Sequence, residues 1–238
     1  KRDVLQAVKT QSTAAPVVVT TAADMVEKAR IPLTGMRGAI AKSVAQATTE
    51  AAPTSAFFEV DVTKLLAARK TMLDREEQLG VRVSMAALIL RALALACQDV
   101  PIANATIAKD AVTVWENVNV AIAVALPGKD EYDSGIAMPV LKNAEAKTVL
   151  QITREMKELT LRARNGELAA ADMSDHTIMM SSTAGFNNPG AWGISAPVLK
   201  LPAIMAFQPG STLKKPVVID GQMVVRDILP CGLTFDHR

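Results

Sequence analysis

Proton transfer near neutral pH calls for an imidazole, and among 238 residues only His176 and His237 carry one. His176 stands in Met173-Ser174-Asp175-His176-Thr177, a polar bend ahead of a strand-like run, which predicts a surface or turn role. His237 follows an apolar run over 229–235 and lies between Asp236 and Arg238. Opposite charges on either side can fix a turn and leave the imidazole facing elsewhere, as a candidate general base.

Other reactive arrangements fail on spacing. Gly193-Ile194-Ser195 starts like a nucleophile elbow, but Pro197 takes the place of the second glycine, which weighs against a serine hydrolase. Cys231 and His237 do not make a thiol–base pair, because the extended strand between them spans about 20 Å at ~3.3 Å per residue. Glu59 and Asp61 alternate with Phe58, Val60 and Val62 and so share a strand face. Without histidine or further acids nearby they read as a solvated face, not as a glycosidase or metal pair. No Walker loop, GxGxxG fingerprint or metal-spaced His/Cys set occurs, and no metal is expected.

The elements that position these groups follow from periodicity. Met36, Ile40, Val44 and Ala47 recur at helical spacing after a turn at Pro32, and this helix carries Arg37 and Lys42. Pro53 ends it, and a half-buried strand over 58–62 and a helix over 63–79 follow. The run 84–99 is apolar nearly all round, opens on Ser84 as a cap and stops before Pro101, which predicts a central helix. Strands are predicted over 111–115, 118–125 and 135–141, the middle one without alternation, as in a strand covered on both faces. A helix over 147–164, with Glu158 and Arg162 paired outside and Asn165-Gly166 as its stop, leads to strands at 177–182, 203–207, 216–219, 223–226 and 229–235. Asp220-Gly221 marks a hairpin. The expected class is α/β, a mixed sheet with helices packed on it.

Composition sets the bounds. Half of the residues are hydrophobic, enough for a sizeable core. A net charge of +2, scattered basic residues and scarce aromatics weigh against a nucleic-acid partner. The longest apolar stretch, 83–97, is broken by Arg91 and is too short to span a bilayer, so no membrane partner is expected. Two cysteines without a Cys-x-x-Cys pair suit a reducing compartment, cytoplasm or organelle matrix. Residues 10–29 read as a flexible linker, with an edge strand at 17–20 as the alternative, and 1–9 as the last turns of a small helical module.

Several stretches in order carry a family resemblance. The segment from Ile31 through Met36-Arg37-Gly38 to Lys42, the strand Phe58-Glu59-Val60-Asp61-Val62, the run Val118-Asn119-Val120-Ala121, the run Gly135-Ile136-Ala137-Met138-Pro139-Val140, and Leu233-Thr234-Phe235-Asp236-His237-Arg238 resemble the catalytic domain of dihydrolipoyl acyltransferases, the core components of 2-oxo acid dehydrogenase complexes. The likeness covers residues 30–238, and residues 1–9 resemble the tail of a peripheral-subunit-binding domain.

The resemblance implies a chloramphenicol-acetyltransferase-like fold and homotrimers, with active sites between subunits, assembled into a larger core. It implies acyl transfer, acetyl by default, from a lipoyl group carried on a separate domain to coenzyme A. The implied partners are the 2-oxo acid decarboxylase/dehydrogenase and dihydrolipoyl dehydrogenase components. His237 is the implied base, Asp236 and Arg238 support its motif, Ser181 or Ser182 supplies the oxyanion donor, and Arg37 helps bind the coenzyme A phosphates. The family's serine turn reads Ser-Asn/Ser-Leu-Gly, whereas this chain has Ser181-Ser182-Thr183-Ala184-Gly185 with an apparent insertion through Pro189, which leaves both serines open. The family motif continues past Arg238 with an Asp-Gly pair and a closing helix, so the natural domain is expected to extend further. A non-catalytic core component and a free-standing acyltransferase are the alternatives.

Overall fold

The computed structural model describes residues 26–128, 132, 135–182 and 194–238. The helical remnant at 1–9, the strand alternative at 17–20 and most of the linker lie outside the described residues. The chain divides into two units, Lys1–Pro32 and Leu33–Arg238. In the first, residues 26–32 have no regular structure and Arg30 pairs with Glu27 at 2.7 Å.

The second unit opens with helix α1, Gly35–Glu50, as the apolar spacing predicts. Of its apolar stripe only Ala47 is buried, while Met36, Ile40 and Val44 stay exposed. Strand β1, Pro53–Asp61, is longer than expected and exposed throughout, which corrects the half-buried expectation. Its acids do share a face, but they are paired: Glu59 with Lys215, and Asp61 with Arg226 at 3.7 Å. The single helix expected over 63–79 is two, α2 Thr63–Leu73 and α3 Glu76–Leu79, divided at Asp74-Arg75.

Helix α4, Met85–Asp99, is central as predicted: Ser84 accepts from the Ala87 amide at 3.1 Å, and Ala87, Leu88, Ile89, Leu90, Ala94 and Cys97 are buried. After it come β2 Ala105–Ile107 and β3 Val112–Val114, a separate two-stranded sheet. The predicted strand 118–125 is split at Ala123 into β4 Val120–Ile122 and β5 Val124–Leu126. Ala123 donates to Met180, and β5 leaves to pair with β6, Gly135–Ala137. β7 is Val140–Leu141.

Helix α5, Val149–Asn165, starts at a Thr148/Gln151 capping box and stops at Gly166, φ 72°. Arg162 does not pair with Glu158 as expected. A 3₁₀ turn, Ala170–Met173, brings Asp172 back along the helix, and the Arg162 guanidinium binds that carboxylate instead. The chain ends with β8 Ile178–Met180, β9 Met205–Pro209, β10 Leu213–Ile219 and β11 Gln222–Asp236. The two final strands expected separately are one strand of 15 residues. Asp220 and Gly221, φ 50° and 77°, make the predicted hairpin turn.

The main sheet runs β1-β11-β9-β8-β4-β7, with β10 also on β11. β4–β8 and β8–β9 are parallel and the other pairs antiparallel, so the sheet is mixed, as expected. Alternation along β4 and β8 sends Val120, Ile122, Ile178 and Met180 into one core with α4 and α5, and Ala121 and Met179 into a second with Ala47 of α1. Both faces of the central strands are therefore covered, which is why their sequences show no polar alternation.

Candidate functional site

Alternation at the end of β11 decides which way the Asp236-His237-Arg238 turn presents its side chains. Thr234 and Asp236 face inward and are buried, so Phe235 and His237 face the other way, their rings 5.7 Å apart, with His237 exposed. The Asp236 carboxylate is 1% accessible and takes a bidentate pair from Arg238, Nε at 3.0 Å and Nη2 at 2.6 Å. It also accepts from the Ala52 amide at 3.3 Å. The His237 amide donates to the Ala52 carbonyl at 2.9 Å. The side-chain bond from Arg238 holds the Asp236 pKa below the usual carboxylate value, against the opposing effect of burial. The turn is thus fixed by ionised groups at both sides of the histidine, as its two charged neighbours suggested.

Ser181 and Ser182 follow β8. The Ser181 amide donates to the Phe207 carbonyl at 2.9 Å, which anchors its backbone to the sheet. The turn beyond it, including Gly185 and the insertion through Pro189, lies outside the described residues. Extending the β8–β9 register by one residue puts Ser181 level with Gln208, and extending the β9–β11 register by two puts His237 level with Ala203. Those levels are about 16 Å apart along the strands, and β8 and β11 are about 10 Å apart across the sheet. Within one chain these residues are not brought together.

Arg37 lies on the first turn of α1, its guanidinium donating to the Tyr132 carbonyl, beside a cleft of about 420 Å³ walled by Met36, Ile40, Leu126 and Ile136. The helix rises about 1.5 Å per residue, so Arg37 is about 20 Å from the helix end that approaches the His237 turn.

His176 corrects the surface expectation. It is buried, at 6% exposure, with Nε2 at 3.1 Å from the Lys200 carbonyl. Burial lowers its pKa, the backbone bond opposing. The polar letters around it misled: Asp175 takes a left-handed φ of 63° and turns the following side chain inward.

Ser195, weighed against as a nucleophile because of Pro197, is engaged in the sheet: its hydroxyl donates to the buried Gln208 Oε1 at 2.7 Å, at the level of Ser181. No sequence motif pointed to that pairing. Cys97 and Cys231 are buried free thiols, each pushed up to about 11 by burial. Among the described residues no group of three or more His, Cys, Asp and Glu side chains could hold a metal ion.

The family of 2-oxoacid dehydrogenases acyltransferases, by its catalytic domain, matches residues 26–238. The lipoamide acyltransferase component of the branched-chain alpha-keto acid dehydrogenase complex of Bacillus subtilis is 32% identical over 87% of this chain and 47% of its own length. The mitochondrial succinyltransferase component of the 2-oxoglutarate dehydrogenase complex of Saccharomyces cerevisiae is 30% identical over 88% and 43%. The chain thus spans about half the length of the curated relatives it matches. Among solved structures, a probable dihydrolipoamide acetyltransferase from Listeria monocytogenes superposes with a TM-score of 0.79 at 33% identity, covering 88% of this chain and 86% of that one. The cubic core of a pyruvate dehydrogenase complex gives 0.81 at 25%, covering 90% and 85%. The chain belongs to the 2-oxoacid dehydrogenase acyltransferases, whose catalytic domain it matches over residues 26–238.

Proposed function

We propose that this domain moves an acyl group, acetyl by default, from a dihydrolipoyl thioester to coenzyme A, as the core subunit of a 2-oxo acid dehydrogenase complex. The observation that carries it is the exposed imidazole of His237, held on a turn by the buried Asp236–Arg238 pair in a chain of this family. His237 takes the proton from the coenzyme A thiol. The thiolate attacks the acyl carbonyl carbon, and the tetrahedral oxyanion accepts a hydrogen bond from Ser181 or Ser182. Collapse breaks the bond to the lipoyl sulfur, which leaves as a thiolate and regains the proton from the imidazolium. A thiol of pKa near 8.5 is mostly protonated at neutral pH, so the base is needed, and no covalent enzyme intermediate is.

Serine and histidine on opposite ends of one sheet imply that each site combines His237 of one subunit with the serine of another. The exposed stripe Met36, Ile40 and Val44 supports association, and a homotrimer built into a larger core fits the relative of known cubic assembly. The lipoyl group, carried on a separate domain, and the decarboxylase and dihydrolipoyl dehydrogenase components would complete the cycle. Arg37, far from His237, suits the phosphate end of a long substrate; Arg37→Ala should then raise KM for coenzyme A, and an unchanged KM removes the role. Buried free thiols agree with a reducing compartment, cytoplasm or organelle matrix.

Complementation tests the reading. In the full-length protein, His237→Ala and Ser181→Ala should each lower turnover of acetyl-dihydrolipoamide with coenzyme A by ~10²-fold or more. Assemblies re-formed from the two variants mixed should regain activity, because some sites receive both intact residues. Failure of mixed assemblies to recover would refute the shared site, and full activity of folded His237→Ala would refute the base.

A further inference from the structure

A second cleft, of about 660 Å³, opens where β4, β8 and β9 begin, across the strands next to β11 and its His237 turn. Its walls include Trp115, His176, Lys200, Met173 and Pro202. None of these residues takes part in the transfer described above.

The cleft is held by polar bonds that fix its walls in place. The Asn104 amide donates to the carbonyls of Trp115, at 2.7 Å, and Asn117, at 3.1 Å. The Trp115 indole N–H donates to the Thr106 hydroxyl at 2.8 Å, so the ring is tied through both backbone and side chain. Asn119 donates to the Asp175 carbonyl at 2.8 Å and fixes the bend that turns His176 inward. Such a cleft needs little reordering to take a ligand.

Its charges are unequal. Asp175 is already neutralised by Lys142 at 3.1 Å and accepts from Ser174 at 2.8 Å. His176 is uncharged at neutral pH, since burial lowers its pKa. Lys200 is half-buried, and its ammonium has no acid or hydrogen-bond partner among the described residues. Burial pulls its pKa down, the mark of a cation that water does not fully solvate. A half-buried ammonium without a partner is costly, and an anion reaching it makes a charge-assisted bond. The same cleft is lined by Trp115, Met173 and Pro202, whose apolar surface suits a flat apolar body better than a bare inorganic ion.

We propose that this cleft is a binding site for a small organic carboxylate with a flat apolar body, its carboxylate held by Lys200 and its body laid against Trp115.

Tryptophan fluorescence tests it with benzoate, its uncharged isostere benzamide, and inorganic phosphate. Substituting Trp192→Phe leaves Trp115 as the sole reporter, since the chain has two tryptophans. Benzoate should quench it saturably, with benzamide about tenfold weaker and phosphate weaker still. Lys200→Met, which keeps the apolar stem, and Lys200→Gln should both erase the advantage of benzoate over benzamide, with circular dichroism unchanged. Trp115→Leu, followed by calorimetry, should weaken both aromatic probes. The proposal is overturned by absence of saturable quenching, by equal benzoate affinity in wild type and both Lys200 variants, or by phosphate binding as tightly as benzoate.

Discussion

The carbonyl oxygen of Ser195 lies directly over Gly232, where a Cβ would come within 2.2 Å of it. The segment carrying Ser195 therefore closes on β11 at a position only glycine allows. Gly232→Ala should cost about 3 kcal/mol in urea unfolding, since backbone must move on one side or the other. Gly166→Ala is the contrast: open space surrounds it and only its φ of 72° is strained, so a loss of about 1 kcal/mol is expected. Equal losses at the two sites would mean that the Ser195 contact yields freely.

Asp236 should make stability depend on pH in the acid range. Its folded pKa is depressed, chiefly by the Arg238 side-chain bond. The resulting stabilisation is complete above the ordinary carboxylate pKa of about 3.9 and is lost as pH falls through the lower folded value. At pH 7 Asp236→Asn should cost about 2–3 kcal/mol. The gap to wild type should narrow below about pH 4. A gap that stays constant from pH 7 to the acid limit would show that the carboxylate charge contributes nothing.

The two serines should separate kinetically. Ser181 has its backbone fixed by the Phe207 carbonyl, so its hydroxyl starts from a defined position. Ser181→Ala in the full-length protein should lower kcat by ~10²-fold, and Ser182→Ala by much less. The reverse order would move the donor to Ser182, and small equal effects would take serine out of the step.

Both cysteines should resist alkylation in the folded protein at pH 8, because burial removes access and their pKa values near 11 leave little thiolate. A thiol titration should find no fast-reacting group until denaturant is added, then two per chain. Rapid native labelling of Cys231 would show that β11 opens readily.

The parts legible in sequence were those where local chemistry and burial agree. Ser84, Gly166 and Asp220-Gly221 mark element ends through bonds or φ values that their own residue types dictate. The split at Ala123 was not legible, because it is set by a hydrogen bond to Met180, far along the chain. Arg162 was assigned to Glu158 by helical spacing, yet Asp172 outcompetes it through a turn that spacing within the helix does not describe. For the site, the pairing of Asp236 with Arg238 could be read from their opposite charges either side of His237. The burial of His176, the Ser195–Gln208 bond and the Lys200 cleft depend on tertiary neighbours and left no local signature.

Strand β11 begins at the Asp220-Gly221 turn and runs without interruption to Asp236, pairing first with β10 and then with β1. The hairpin turn and the His237 imidazole are thereby two ends of one ruler. A slip of one residue at the turn would advance His237 by about 3.3 Å and swap it with Asp236, placing the carboxylate outside and the imidazole in the core. An insertion beside Gly221, remote from any reacting atom, would therefore act on the base as surely as a substitution of the histidine itself.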